Sequence, residues 1–135
     1  MSAGILADRI CLITGSSRGI GLGIARAFAY HGAIVTLHGR KENILRESLA
    51  SLPEWSKHNY IAADLSSPQG SKKLAESFLG LQEKLDVLVH SAGVLGPKTP
   101  LATYPEKDWD EVVRVNLTAP FLITQALMPH LRKGD

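Results

Sequence analysis

Short apolar runs alternate along this chain with segments of helical period, which is the pattern of a parallel sheet with helices packed on its faces. The apolar runs predict strands at residues 9–14, 33–38, 59–63 and 85–90. The segments of helical period predict helices at about residues 19–31, 42–52, 71–84 and 108–131. The pattern therefore predicts an α/β fold.

Local signals refine the ends of two of these helices. Gly32 directly follows the first helix and predicts its C-terminal cap. Asp108 has Glu111 three residues later, in capping-box spacing, and predicts the start of the last helix. Pro120 lies inside that helix and predicts a kink there, because its ring cannot continue the hydrogen-bond ladder.

Length and composition limit the class of protein. A chain of 135 residues fits one domain, so residues 1–135 are expected to form a single unit, short for an enzyme that holds a dinucleotide and a substrate. Hydrophobic residues make up 44% and charged residues 21%, as in a soluble globular protein. The net charge of +2 arises from interspersed signs, so we expect no nucleic-acid partner.

The single cysteine and the N terminus bear on the compartment. Cys11 cannot form an internal disulfide, and its apolar neighbours predict a small core residue rather than a reactive thiol. The first residues lack a basic and apolar leader, and no apolar run approaches the roughly 20 residues of a membrane-spanning helix. We therefore expect a cytoplasmic protein with no membrane partner, and we expect no metal site.

A glycine-rich turn joins the first strand to the first helix. Residues 14–21 read TGSSRGIG, and the last two glycines open the helix. Missing side chains let the backbone approach a pyrophosphate, while free amides and the positive helix end attract its charge. A turn that binds nothing is the alternative, but strand, turn and helix align. The predicted binding residues of this turn are Gly15, Ser17, Arg18, Gly19, Ile20 and Gly21.

The spacing T-G-x-x-x-G-I-G resembles the short-chain dehydrogenase/reductase family. The resemblance continues after the fourth strand, where Ser91, Ala92 and Gly93 stand at the family's N-N-A-G motif. Ala92 and Gly93 match the motif and imply a close approach of backbone to cofactor. His90 and Ser91, at its first two positions, replace amides that brace neighbouring strands in the family. The resemblance implies a Rossmann-type doubly wound parallel sheet, truncated to about four strands in the order 3-2-1-4, with helices on both faces.

Two further strand ends have open interpretations. Asp64, followed by Leu65, matches the family position whose carboxylate usually accepts a hydrogen bond from the adenine amino group; a helix or turn cap is the alternative. For His90, we favour a buried neutral histidine with a backbone partner over a catalytic base.

The end of the second strand bears on the choice of cofactor. NAD-binding members have an acidic residue there for the ribose 2′-hydroxyl, whereas this chain has Gly39 followed by Arg40. Arg18 lies in the glycine-rich turn, so two guanidinium groups can converge on one phosphate. Each arginine alone could be a solvated loop residue. We predict that NADP(H) is preferred over NAD(H), with weak assistance from Lys41 and His38.

The family's catalytic residues are only partly present. Asn116 matches the family asparagine that holds a water in the proton relay, with a buried asparagine in a bent helix as the alternative. No Tyr-x-x-x-Lys occurs in the chain, and Lys107 follows Tyr104 by three residues, the wrong spacing. The resemblance covers only about the first half of a typical member, so we expect no turnover by this chain alone.

Two hypotheses of function stay open. The first is an NADP(H)-dependent oxidoreductase that transfers a hydride to or from a carbonyl or hydroxyl carbon, represented here by its cofactor-binding half. The second is an NADP(H)-binding pseudoenzyme or one half of a split protein. The substrate is unknown, because the family's substrate pocket forms mostly from later segments. An uncovered strand edge and last helix predict a homo-oligomer or another association.

Overall fold

The computed structural model describes residues 4–133, which fold around one parallel sheet. Its four strands are β1 (Ile10–Thr14), β2 (Ile34–Gly39), β3 (Asn59–Ala62) and β4 (Val87–His90). They lie in the order β3-β2-β1-β4, and every pairing is parallel. The predicted α/β fold and the strand order 3-2-1-4 are confirmed.

Helices cover both faces of this sheet. They are α1 (Gly19–Tyr30), α2 (Glu42–Ala50), α3 (Pro68–Leu81), α4 (Glu106–Val113) and α5 (Ala119–Leu127). Short 3-10 turns at Trp55–Lys57, Leu101–Thr103 and Met128–His130 complete the secondary structure of this range, together with one π-helical turn described below.

Strand β1 divides the core between the two faces because successive side chains of a strand point to opposite sides. Leu12 packs into a cluster that contains Phe78 of α3 and Ile123 of α5. Cys11 and Ile13 pack into a second cluster, with side chains of α1 and α2. Because β1 is buried on both sides, its sequence reads as a continuous apolar run.

The prediction that Gly32 caps the first helix is confirmed. Gly32 has φ +93°, and its N–H donates to the carbonyl of Ala29 at 3.1 Å. The N–H of Ala33 donates to the carbonyl of Phe28 at 3.0 Å, which completes a Schellman motif. This tight ending turns the chain directly into β2.

Helix α3 begins earlier than the predicted residue 71. The side chain of Ser67 accepts a hydrogen bond from the N–H of Gly70 at 3.0 Å, and Pro68 occupies the first helical position. Proline is well tolerated there because that N–H has no intrahelical partner.

The predicted start of the last helix is wrong. Helix α4 begins at Glu106 after Pro105, and the side chain of Asp108 lies within its first turn instead of capping it. A carboxylate in the first turn still stabilises a helix through the dipole, which explains why the residue type suggested a helix start.

A π-helical turn, Arg114–Thr118, separates α4 from α5. Pro120 follows it in the first turn of α5, so the irregularity that we predicted at the proline lies just before it. A proline at position 120 removes the N–H that an α-helix would direct at the carbonyl of Asn116, and a π-turn is one way to absorb that loss.

Strand β4 forms one edge of the described sheet. Along this edge, Leu85, just before the strand, pairs with the backbone of His130 and Arg132. The N–H of Leu85 donates to the carbonyl of His130 at 3.0 Å, and the N–H of Arg132 donates to the carbonyl of Leu85 at 2.9 Å. The buried carboxylate of Asp86 accepts from the N–H of Ile10 at 2.8 Å and lies 3.4 Å from the Arg132 guanidinium. The association that we expect through this edge and α5 stays a prediction.

We predict that the thiol of Cys11 resists modification in the folded protein. The residue is fully buried, and burial, helped by the charge of Asp86, raises the pKa of the thiol to about 12. Because the thiolate is the nucleophile, an aromatic disulfide reagent at about pH 8 is expected to react only after unfolding in denaturant. Absorbance of the released thiolate measures this, and rapid labelling without denaturant would contradict it.

Candidate dinucleotide-binding site

A cavity of about 360 Å³ lies at the carboxyl ends of the strands, where parallel α/β sheets bind ligands. Loops after all four strands contribute to its wall, together with Glu111 of α4 and Val115 of the π-turn. The structure brings together every residue that the sequence predicted to bind the cofactor: Gly15, Ser17, Arg18, Gly19, Ile20, Gly21, Arg40, Asp64, Leu65, Ser91, Ala92 and Gly93.

The glycine-rich turn packs tightly on the loop after β4. Gly15 has φ +61°, a backbone angle that residues other than glycine rarely adopt. A Cβ at this position would lie 2.5 Å from the Cα of Ala92. The two loops can therefore meet only because this residue has no side chain, and their contact closes one side of the cavity.

Helix α1 points its N-terminus into the same cavity. Its cap residue, Arg18, has an extended backbone and makes no side-chain hydrogen bond to the first amides of the helix. The first turn also contains no acidic residue. The amides of this turn and the positive end of the helix dipole thus suit an anion.

The hydroxyl of Thr14 connects β1 to the loop after β4. It accepts hydrogen bonds from the N–H groups of Ser91 and Ala92, both at 3.1 Å, and the residue is buried. Because the donors are backbone N–H groups, these two hydrogen bonds do not depend on which side chain stands at position 91. In the sequence, Thr14 stands out only as the first residue of the glycine motif, which does not indicate this role.

The interpretation of His90 is wrong in two respects. The residue is exposed, and its Nε2 lies 2.8 Å from the hydroxyl of Thr124 rather than from a backbone group. β4 is an edge strand of the described sheet, and the hydrogen bond described for this ring is to Thr124 of α5. Partial desolvation still lowers the pKa of His90.

Asp64 forms the turn cap that we gave as its alternative role. Its Oδ1 accepts hydrogen bonds from the N–H of Ser66 at 2.9 Å and from the Ser66 hydroxyl at 2.7 Å. These two bonds, more than the nearby Arg40, lower the pKa of the carboxyl. Oδ2 accepts none of the hydrogen bonds described for residues 4–133, so the bond to an adenine amino group stays a prediction.

Arg18 and Arg40 lie close enough to border one small cavity, while their joint binding of a phosphate stays a prediction. Arg18 and Arg40 line a smaller cavity of about 70 Å³, together with Ser17, Lys41 and Ile44. Both arginines are exposed, and neither forms an ion pair with another residue in the 4–133 range. Two guanidinium groups around one small cavity are a suitable environment for a phosphate.

His38 does not assist these arginines, contrary to the prediction. Its ring is buried and hydrogen-bonded, with Nδ1 3.0 Å from the N–H of Gly15 and Nε2 2.9 Å from the carbonyl of Ala63. Burial lowers the pKa of His38, with smaller opposing effects from Ala63 and the charge of Asp64. The ring therefore supports the glycine-rich turn from behind.

Asn116 lies in the π-turn next to the cavity. Its Oδ1 accepts from the N–H of Val94 and its Nδ2 donates to the carbonyl of Val94, both at 2.9 Å. The alternative of a buried asparagine that satisfies a bent helix is wrong, because the residue is exposed and its partners belong to the loop after β4. A role in a proton relay stays a prediction.

The strand order, the glycine-rich turn and the cavity at the strand ends define a Rossmann-type dinucleotide-binding fold. A family model for short chain dehydrogenases matches residues 9–135, and the chain belongs to this family of nicotinamide-dependent oxidoreductases. Among residues 4–133, every helix is too short or too polar to span a bilayer.

Individual relatives agree with this assignment. The uncharacterized oxidoreductase YciK of Escherichia coli is 36% identical, and the match covers 97% of this chain and 54% of that protein. The rhamnolipids biosynthesis 3-oxoacyl-[acyl-carrier-protein] reductase of Pseudomonas aeruginosa is 38% identical, over 96% of this chain and 50% of that protein. The chain thus spans about half the length of the curated relatives it matches.

Solved structures similar to this chain contain NADP or NADPH. A protein of the short chain dehydrogenase type from Shigella flexneri, solved in complex with NADP, superposes with a TM-score of 0.88. It is 35% identical, and the match covers 99% of this chain and 58% of that one.

Proposed function

We propose that this chain is the NADP(H)-binding part of an oxidoreductase and that residues 1–135 act as one dinucleotide-binding domain. The observation that carries the proposal is the convergence of all predicted cofactor residues on one cavity, with Arg18 and Arg40 around a second cavity beside it. The complex of a similar Shigella flexneri protein with NADP supports the choice of ligand.

The residues present fit a pyrophosphate at the N-terminus of α1. Gly15 and Gly21 are in close contact with the backbone of Ala92 and of Ser16, and neither glycine adds a side chain to the cavity wall. The amides of the first helical turn would then donate to phosphate oxygens, with no carboxylate in that turn to compete. The N-terminus of α1 would bind the pyrophosphate, which NADP(H) and NAD(H) share, so this end of the site would not distinguish the two cofactors.

The adenosine end is proposed to distinguish the two cofactors. Arg18 and Arg40 would bind the ribose 2′-phosphate through paired N–H groups. Gly39 reinforces this choice in a way that the sequence alone did not show, because a Cβ there would lie 3.0 Å from both Cβ and Oγ of Ser17. Ser17 thus restricts the space that the acidic side chain of NAD-binding members would occupy at this position.

The nicotinamide end would lie beside the loop after β4. Ser91, Ala92 and Gly93 line the cavity there, and Asn116 fixes the following residue, Val94, from the π-turn. When bound, the nicotinamide would supply hydride chemistry, and these residues would hold it beside the loop after β4.

The reaction of the whole protein is proposed to be reduction of a carbonyl group or oxidation of a hydroxyl group. No tyrosine within the 135 residues has a lysine four positions later, so we propose that they bind the cofactor without turnover by themselves. A full-length protein that binds NADPH but reduces no carbonyl compound would instead favour a binding protein without catalysis.

Removing either arginine is expected to weaken NADPH binding selectively. Loss of charge-assisted hydrogen bonds in Arg18→Ala or Arg40→Ala should raise the Kd for NADPH by roughly 10- to 100-fold, with little change for NADH. NADPH and NADH fluorescence titrations of the full-length protein measure both constants.

Arg26→Ala is the matched control for these variants. Arg26 is an exposed arginine of α1 that donates to the Ser51 hydroxyl at 3.2 Å and lines neither cavity. It should bind both cofactors like the wild type. A wild-type preference for NADH, or equal losses for both cofactors in the Arg18 and Arg40 variants, would refute the proposed specificity. Absence of binding to either cofactor would refute the proposed function.

A further inference from the structure

The imidazole of His38 is held in one tautomer by backbone groups on two sides. The residue is 2% exposed, Nδ1 lies 3.0 Å from the Gly15 nitrogen, and Nε2 lies 2.9 Å from the carbonyl oxygen of Ala63. A carbonyl can only accept and an amide N–H can only donate. The ring is therefore neutral, with its proton on Nε2 and a lone pair on Nδ1 directed at Gly15.

The backbone of His38 holds the next residue of the glycine-rich turn. Its N–H donates to the hydroxyl of Ser16 at 2.9 Å, and its carbonyl accepts from the N–H of Ser16 at 2.8 Å. The Ser16 hydroxyl in turn donates to the carbonyl of Ile13 at 2.6 Å. The ring of His38 thus completes a set of hydrogen bonds that fixes the turn where β1 ends.

We propose that His38 is a positioning residue, whose neutral ring holds the Gly15 amide so that the glycine-rich turn fits the dinucleotide, and whose protonation weakens dinucleotide binding. The inference rests on the proposed function, because it concerns the same cavity. His38 lines that cavity from behind the turn and leaves the phosphate to the helix amides and the arginines.

Protonation would place a second N–H on the ring, opposite the N–H of Gly15. Two donors cannot bond to each other, so the turn would lose its support and a buried charge would have no acceptor on that side. The charged side chains around the same cavity are Arg18, Arg40, Asp64 and Glu111. Asp64 favours the charged ring, but burial outweighs it and lowers the pKa of His38.

The direction of the pH effect follows from the lowered pKa of His38. Above the ordinary histidine pKa near 6.5 the ring is neutral and the turn is supported. As the pH falls toward the lowered pKa of the folded protein, the ring gains a proton and cofactor affinity is lost. Acid is therefore expected to weaken binding, and neutral to alkaline pH to preserve it.

His58 provides a matched control, because it makes the same kind of bonds away from the cavity. It is 5% exposed, its Nδ1 accepts from the N–H of Val35 at 3.1 Å, and its Nε2 lies 2.8 Å from the carbonyl of Pro53. Burial lowers the pKa of His58 as well. A change at this residue affects folding stability in a similar way without touching the glycine-rich turn.

The test measures Kd for NADP⁺ by calorimetry, from about pH 8 to about pH 5, on the full-length protein and three variants. His38→Leu removes the acceptor and should raise Kd roughly five- to tenfold at neutral pH. His38→Asn places an amide oxygen near the Nδ1 position, so it should restore most of the affinity and bind with less dependence on pH. His58→Asn should behave as the wild type in both respects.

The ratio of wild-type to His38→Asn affinity is the decisive quantity. The 2′-phosphate of the ligand itself titrates with a pKa near 6, and this effect cancels because both proteins bind the same ligand. We expect the ratio to fall roughly five- to tenfold on acidification. The corresponding ratio of wild type to His58→Asn should stay constant.

Long-range ¹H–¹⁵N NMR of the wild-type protein tests the inference without any variant, so it does not depend on whether a variant folds. It should show His38 protonated on Nε2 only, with its titration matching the loss of NADP⁺ affinity. A proton on Nδ1 at neutral pH, or a constant affinity ratio while His38 titrates, would overturn the inference and leave the proposed function standing. Absence of NADP⁺ binding by the wild type at neutral pH would overturn both.

Discussion

Gly21→Ala is expected to weaken dinucleotide binding severely and to destabilise the fold, although it adds only one methyl group. A Cβ at Gly21 would overlap the carbonyl of Gly15 and lie 2.9 Å from the Cα of Ser16. Both are backbone atoms of a turn that His38 and Ile13 hold through hydrogen bonds, so the turn cannot move aside without breaking them.

The expected size follows from two separate losses. Overpacking at a rigid backbone contact should lower the free energy of unfolding by about 1–3 kcal/mol. Displacing amides that donate to a charged pyrophosphate should raise the Kd for NADPH by about 100-fold or more, as expected for the loss of two charge-assisted hydrogen bonds.

Gly23→Ala is the control in the same helix. Gly23 is exposed within α1, and a Cβ there would meet nothing within 4 Å. Alanine should raise the free energy of unfolding by about 0.5–1 kcal/mol through the lower entropy of the unfolded chain, and NADPH affinity should be unchanged. Denaturant unfolding and cofactor titration check both variants. Equal affinities for Gly21→Ala and Gly23→Ala would disprove the close-contact argument.

The sheet was predictable because its signals are local. Continuous apolar runs such as that of β1 arise from burial on both faces, and the glycine spacing after β1 identified the turn. The candidate cofactor residues followed from the glycine-rich turn and from the resemblance to the short-chain dehydrogenase/reductase family, which places them at the carboxyl ends of the strands. Every one of these residues lines the cavity.

The supports of the site were not predictable, because each joins residues that are distant along the chain. Thr14 bonds to residues 77 and 78 positions later, and His38 bonds to Gly15 across 23 positions. A threonine after an apolar run and a histidine inside one have many possible partners. Only the register of β1 against β2 and β4 determines which partners they meet.

The predictions of helix ends were wrong where two signals in the sequence competed. Asp108 with Glu111 had capping-box spacing, but the helix starts after Pro105, whose backbone is already extended. Ser67 and Pro68 formed the stronger start signal of α3, since one caps the helix and the other fixes its first φ angle. The apolar periodicity alone placed that start too late.

Reversal of cofactor preference is the second large effect that we expect, and it should require two substitutions. Gly39→Asp would introduce the carboxylate that repels a 2′-phosphate and accepts bonds from a ribose 2′-hydroxyl. Its Cβ, however, would lie 3.0 Å from Ser17 and 3.3 Å from Cδ2 of Leu45. The single variant should therefore weaken the binding of both NADPH and NADH.

Ser17 cannot withdraw freely from this contact. The hydroxyl of Ser48, on α2, donates to the carbonyl of Ser17 at 2.6 Å and ties the turn to that helix. Ser17→Ala would leave the interfering Cβ in place, so glycine is the residue that makes room. In Ser17→Gly with Gly39→Asp, the ratio of NADPH to NADH affinity should fall by about 100-fold or more through charge repulsion and the new ribose bonds.

Ser17→Gly with Gly39→Asn separates charge from shape. The asparagine has nearly the same size as aspartate but neither repels the 2′-phosphate as a charge would nor competes for Arg18 and Arg40. Fluorescence titrations with NADPH and NADH should show a clear reversal only for the aspartate. If the asparagine reverses the preference equally, the specificity of this site depends on the space at position 39, and the electrostatic role assigned to the two arginines is wrong.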